Sequence, residues 1–82
     1  MQLRVFIVED DGPTREYFAA SVLRSERLRL AGSAGTVAEA LAWLDAPGQA
    51  IDILLTDLGL PDGSGLDVIR HVARVHPRCE CL

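Results

Sequence analysis

The chain has 82 residues, 49% of them hydrophobic and 24% charged, which describes a single ordinary globular domain; at this size folding removes only about 60–65% of the extended chain's surface from water. No apolar run approaches the roughly 18–20 residues a membrane helix needs, and Met1 leads straight into a strand-like segment without the pattern of a secretion signal, so the expected location is the cytoplasm. A formal charge of −4, with eight arginines and no lysine, argues against a nucleic-acid-binding surface within these residues, and any DNA contact would need another module.

Leu3 to Val8 is an apolar, β-branched run of strand length that stops at three acids, Glu9, Asp10 and Asp11. Gly12 and Pro13 end the strand, and Pro13 suits the first turn of a helix that the pattern carries to about Ser25, with Phe18 and Val22 one turn apart on its inner face. Asp11 reads as the acid that begins this helix. Leu28 to Ala34 alternates Leu28, Leu30 and Gly32 with Arg29, Ala31 and Ser33, a weaker signal suited to the edge of a sheet.

Thr36 and Glu39 have the spacing of a reciprocal capping box, and Val37, Ala40, Leu41 and Leu44 recur at helical spacing until Pro47-Gly48 stops the helix. Trp43 lies beside that stripe, as a partly covered ring on the helix flank. Ile51 to Thr56 is a six-residue apolar run that reads as a strand buried on both faces, and Asp57 stands where it gives out. The loop from Leu58 to Ser64 holds two glycines, a proline and an aspartate, so it is a shaped turn in which Asp62 reads as a turn acid.

Ser64 and Asp67 repeat the capping spacing, and Leu66, Ile69, Val72 and Ala73 supply the expected buried face of a third helix, which should stop before His76-Pro77. His71 and His76, among Arg70, Arg74 and Arg78, read as a solvated surface. Cys79 to Leu82 looks like the opening of a further strand, with Cys79 and Cys81 as buried thiols, since no other ligands complete a zinc site.

The tally is βαβαβα plus a strand stub, which calls for a doubly wound parallel sheet with right-handed crossovers and helices on both faces. In a sheet of order 2-1-3 the tips of the first and third strands are neighbours at the switch point, where ligands bind, and Glu9, Asp10 and Asp57 then converge. Close carboxylates repel and raise at least one pKa unless a cation joins them. Oxygen donors of this kind suit Mg²⁺, which characteristically keeps positions open for water and phosphate oxygens. The chemistry leans to phosphoryl transfer, where a nucleophile, a metal and electrostatic stabilisation are most of the apparatus.

VEDDGPTRE at 8–16 and LLTDLGLPDGSGLDVI at 54–69 together resemble the receiver domain of two-component response regulators, in register over the whole chain. The resemblance implies a flavodoxin-like fold, Asp57 as phosphoacceptor, Glu9 and Asp10 as the acidic pair for Mg²⁺, a further metal contact from the Gly59 backbone carbonyl, and a loop shaped by Pro61 and Gly65. It implies a sensor histidine kinase as phosphoryl donor. AGSAGTVAEAL at 31–41, taken with LPDGSGLDVI at 60–69, is most similar to regulators that bind DNA through a C-terminal helix-turn-helix domain.

A complete receiver continues through two more strands and two more helices, with a Ser or Thr on the fourth strand and a Lys on the fifth. Residues 1–82 correspond to its N-terminal part. The third strand is therefore expected to have a bare apolar edge open to self-association, with exchange of Cys79 to Leu82 between copies. Two other readings compete. One is a receiver-like interaction module that is not phosphorylated in this form. The other is a phosphohydrolase of the haloacid-dehalogenase type, but Leu58 and Gly59 follow Asp57 where that family resembles D-x-D.

Overall fold

The computed structural model describes all 82 residues, Met1–Leu82. Its elements follow the expected alternation: β1 (Leu3–Val8), α1 (Gly12–Leu23), β2 (Leu28–Ala34), α2 (Val37–Asp45), β3 (Ile53–Thr56), a small hairpin of β4 (Gly59–Leu60) and β5 (Gly63–Ser64), α3 (Gly65–Val75) and β6 (Glu80–Cys81). The main sheet has the order β2-β1-β3-β6, with every pairing parallel. β1 is central, and its residues from Val5 to Val8 are all buried. The order 2-1-3 and the edge position of β2 are as the alternating pattern requires.

Two apolar layers hold the sheet. On one face Phe6, Val8 and Leu54 meet Val37, Ala40 and Leu44 of α2 and Val68 and Val72 of α3. On the other, Val5 and Ile7 meet Val22, Phe18 and Ala19 of α1, with Leu28, Leu30, Ile53 and Leu55 alongside. Because α1 alone covers this second face, β3 is less enclosed than its composition suggests: only Leu54 is fully buried, whereas Ile53, Leu55 and Thr56 are half-buried.

β2 departs from simple alternation. Its register against β1 shifts between Val5 and Phe6, with Val5 opposite Leu30 but Phe6 opposite Gly32, so Ala31 is the extra residue of a bulge. Leu28 and Leu30 consequently pack on the α1 face, while Ala31 and Ala34 join the opposite layer. Gly32 is required there: a Cβ would lie 2.7 Å from Trp43 Nε1, and its absence lets the indole stack on Phe6 at 4.2 Å and 10°. Trp43 is the half-buried flank residue the helical spacing implies.

The helix ends have identifiable causes. α1 starts at Asp11, whose carboxylate accepts from Thr14 N–H, and stops two residues short of Ser25. Ser25 Oγ there accepts from the Arg27 N–H, a local turn that competes with another helical turn. α2 has only half of the expected capping box. Thr36 Oγ1 accepts from Glu39 N–H at 3.0 Å, but the Glu39 carboxylate bonds the Thr36 hydroxyl and not its N–H. α3 has the full box between Ser64 and Asp67. It ends at Val75, as the following His76-Pro77 demands.

Several expectations need correction. Leu66 is 48% exposed and Ala73 is exposed, because the stripe of α3 that meets the sheet is Gly65, Val68 and Val72. His71 is not a solvated side chain: only 13% exposed, its Nε2–H donates to Asp45 Oδ1 at 2.6 Å, while the Arg74 guanidinium donates to Nδ1. His76 donates from Nε2 to the Leu44 carbonyl. Both histidines therefore tie α3 and its C-terminal end to α2. Cys79 is half-buried, which pushes its thiol up to about 11, and Cys81 is exposed, so neither thiol is enclosed as expected.

The bare β3 edge is also not found. β6 pairs with it, Ile53 opposite Glu80 and Leu54 opposite Cys81, and the Leu82 N–H donates to the Leu54 carbonyl at 2.8 Å. The open edge lies one strand further out, on β6.

Candidate functional site

The parallel pairing of β1 and β3 places their C-terminal tips side by side. Val8 is opposite Thr56, and the Asp57 N–H continues the ladder by donating to the Val8 carbonyl at 3.0 Å. The next residue on each strand is an acid. Carboxylate oxygens of Glu9, Asp10 and Asp57 all lie within 4.8 Å of one another, with Glu9 half-buried and the two aspartates exposed. The three acids named from the strand tips are thus brought together by two β-ladders and the turn into α1. Gly59, the fourth expected participant, is two residues past Asp57 at the start of the hairpin, and its N–H donates a long bond, 3.4 Å, to Asp57 Oδ1.

One wall of the site is apolar. A cavity of about 230 Å³ beside Asp57 is lined by Val8, Glu9, Phe18, Leu55 and Thr56. Glu9 feels both surroundings. The Asp11 N–H donates to its carboxylate and lowers its pKa, but burial, the hydrogen bond with Asp10 and the charges of Asp57 and Asp10 together outweigh this, and the net pKa is raised. Crowded hard oxygen donors at an exposed strand end fit a small divalent cation, whose charge would relieve that repulsion.

The raised Glu9 pKa has a stability consequence in metal-free protein. Below the ordinary glutamate range Glu9 is protonated in both folded and unfolded chains and there is no cost. As pH rises from that range through the raised folded value, ionising Glu9 costs more folded than unfolded, so stability falls. Glu9→Gln is expected to flatten this fall, read as urea midpoint against pH in EDTA; an unchanged slope would contradict it.

The loop after Asp57 is held from two sides. Gly65 N–H donates to the Leu58 carbonyl at 3.0 Å, closing the hairpin, and a Cβ at Gly65 would overlap the Asp57 carbonyl oxygen and lie 2.9 Å from its carbon. Asp62, at the hairpin tip, does more than make a turn. Its two carboxylate oxygens accept from Val37 N–H at 2.8 Å and Ala38 N–H at 3.0 Å, the free donors at the start of α2, which holds its pKa low. Asp62→Ala is expected to lower the thermal midpoint and strip hydrogen-exchange protection from Val37 and Ala38 while leaving α3 protected. Equal loss in both helices would mean general destabilisation.

Sequence reasoning also passed over Arg15. Its guanidinium NH1 donates to the Glu9 carbonyl at 2.7 Å, on the peptide that joins Glu9 to Asp10. The available signal was position: Arg15 is four residues past the Asp11 cap, and long side chains in a helix point back over the preceding turn.

A parallel sheet with its acids gathered at the switch point defines a flavodoxin-like α/β domain whose acidic cluster suits a hard divalent cation. The model of the response regulator receiver domain matches residues 5–82, and the chain belongs to that family. It is similar to the DNA-binding transcriptional activator DevR/DosR of Mycobacterium tuberculosis, 32% identical over 80 residues, which is 98% of this chain but 36% of that protein. Its fold matches that of the response regulator RcsB in a complex with DNA, with a TM-score of 0.86 at 21% identity over 100% of this chain and 41% of that one. The response regulator domain of CheB from Thermotoga maritima matches with a TM-score of 0.83 at 16% identity, covering 99% of this chain and 58% of that domain's chain. The chain thus spans about a third of the length of the DevR/DosR relative. No helix is long and apolar enough to cross a membrane.

Proposed function

We propose that this chain is the phosphoacceptor module of a two-component response regulator. Asp57 takes a phosphoryl group from a phosphohistidine of a sensor kinase, beside a Mg²⁺ ion held by Glu9, Asp10, Asp57 and the Gly59 carbonyl. The observation that carries this reading is the convergence of three carboxylates, from two strand tips, to within 4.8 Å. When bound, Mg²⁺ supplies charge neutralisation for phosphoryl oxygens and for the acids themselves.

The chain's own residues do the rest. Gly59 N–H, bonded to Asp57 Oδ1, leaves Oδ2 free to form the bond to phosphorus while the P–N bond breaks and the imidazole keeps the electron pair. Asp57 is exposed, which admits a donor carried on another protein, and the apolar wall formed by Phe18 and Leu55 limits water on the opposite side.

These 82 residues are read as the N-terminal part of a receiver, with β6 as its fourth strand. Their 58% share of the CheB domain supports this. Membership of the receiver family suits a protein that works in the cytoplasm, and the likeness to DevR/DosR supports control of DNA binding through a separate output domain.

Incubation with acetyl phosphate and Mg²⁺ followed by intact-mass analysis tests the assignment. One phosphoryl group is expected on the wild-type chain, none on Asp57→Asn, and at least about tenfold slower labelling in Glu9→Gln/Asp10→Asn. No labelling of wild type would leave a receiver-like interaction module. Labelling that survives Asp57→Asn would move the acceptor elsewhere.

A further inference from the structure

Arg15 is the cation built into this acidic end of the sheet, and its placement is specific. The NH1 group donates to the Glu9 carbonyl at 2.7 Å in a part-buried contact. That carbonyl belongs to the peptide unit whose two flanking side chains, Glu9 and Asp10, are two of the three clustered carboxylates. Two other contacts flank this segment: the Glu9 N–H donates to the Ala34 carbonyl at its start, and the Glu9 carboxylate accepts from the Asp11 N–H at its end. Between those two points the guanidinium holds the Glu9 carbonyl, and with it the tilt of the Glu9–Asp10 peptide.

A second residue is shaped by the same contact. Gly35 lies in the turn after β2, and a Cβ there would lie 3.0 Å from Arg15 NH1 and 3.8 Å from the Glu9 carbonyl oxygen. The missing side chain is the berth in which the guanidinium lies. Gly35 has no positive φ, so this clearance, and not backbone freedom, is what the structure asks of it. The backbone of Arg15 is also secured, its N–H donating to the Asp11 carbonyl at 2.8 Å in the first turn of α1. Arg15 therefore joins β1, α1 and the turn after β2 at one point beneath the acids.

We infer that Arg15 is a positioning residue for the divalent-cation site, with Gly35 as its berth, an inference that rests on the phosphoacceptor reading above. Two effects of the guanidinium oppose each other. Its positive charge beside the acids disfavours a metal ion, and its hold on the Glu9–Asp10 peptide favours one by keeping both ligands aimed. The bond is short and charge-assisted, and the acids are largely exposed, so screening weakens the repulsion more than it weakens the hold. Loss of an outer partner that orients metal ligands commonly weakens metal affinity by about 10–100-fold.

The test is calorimetric titration of the 82-residue chain with Mg²⁺ alone, together with the amide resonance of Asp10 in metal-free protein. Arg15→Met is expected to raise the Mg²⁺ Kd about tenfold and to move the Asp10 amide. Arg15→Lys, which keeps the charge and a donor, should recover most of the affinity. Gly35→Ala, which shifts the guanidinium by only a few tenths of an ångström, should weaken Mg²⁺ less than Arg15→Met and in the same direction.

Mg²⁺ binding that is unchanged or tighter in Arg15→Met, with the Asp10 amide unmoved, would overturn the inference and leave Arg15 as a charge only. A wild-type chain that neither binds Mg²⁺ nor accepts phosphate on Asp57 would remove the phosphoacceptor reading itself. That failure is told apart because it precedes any variant.

Discussion

Gly65→Ala is expected to cost both stability and phosphoryl acceptance. Gly65 opens α3, where alanine would ordinarily gain about 0.5–1 kcal/mol over glycine. Here the added Cβ overlaps the Asp57 carbonyl oxygen and reaches 3.0 Å from Thr56 Oγ1. The obstacle is backbone, which cannot rotate away, so a penalty near the upper end of overpacking costs, about 2–3 kcal/mol, should win. For a domain of this size that is a fall of roughly 10–20 °C in thermal midpoint.

The displaced peptide is the one that carries Asp57, so acetyl phosphate labelling should also slow at temperatures where the variant remains folded. Gly12→Ala is the matched control, also at the first position of a helix but with open space around its Cβ. It should be neutral or slightly stabilising. Equal behaviour of the two variants would show that helix propensity, and not contact with Asp57, governs position 65.

The second large effect is at Phe6. Its side chain is fully buried at the centre of β1 and stacks on Trp43 across to α2. Phe6→Ala should cost about 3–5 kcal/mol through lost transfer and a residual cavity. Against a total stability of the order of 4–12 kcal/mol for such a chain, this removes at least about a quarter of it. Urea unfolding followed by Trp43 emission reads both the midpoint and the native environment of the indole. Phe6→Leu, which keeps most of the volume, should lose far less. Equal losses would mean that the layer between the sheet and α2 is not packed around the ring pair.

Much of the fold was legible because the signals were local. Strand-length apolar runs ending in acids, Thr36 and Ser64 as caps, and His76-Pro77 as a stop each state their meaning within a few residues, and alternation of strands and helices dictates the parallel sheet. The convergence of Glu9, Asp10 and Asp57 followed from topology alone. What sequence missed was decided across the chain. Asp62 looks like any turn acid until α2 is placed beside it, 24 and 25 residues away. His71 finds Asp45 only once α2 and α3 pack. On α3, Ile69 and Val72 pack inward as expected, but Leu66 does not, because the close approach of the helix start to Asp57 demands the glycine at position 65. The β3 edge was expected bare because the pattern, which marks Cys79 to Leu82 as a strand opening, does not say that so short a strand pairs with β3 of its own chain.

The extra residue at Ala31 makes β2 a strand with two allegiances. Its first half, Leu28 and Leu30, answers to α1, and its second half, Ala31, Gly32 and Ala34, to the stacked rings and α2. Substitutions in either half can thus be absorbed by one helix without disturbing the other. Removing Ala31 would leave Leu30 opposite Val5 and Gly32 opposite Phe6 in an unbroken ladder, with every other side chain of the strand on its present face. Along this edge the bulge is a residue the pairing could lose, whereas Gly32 is one it could not exchange.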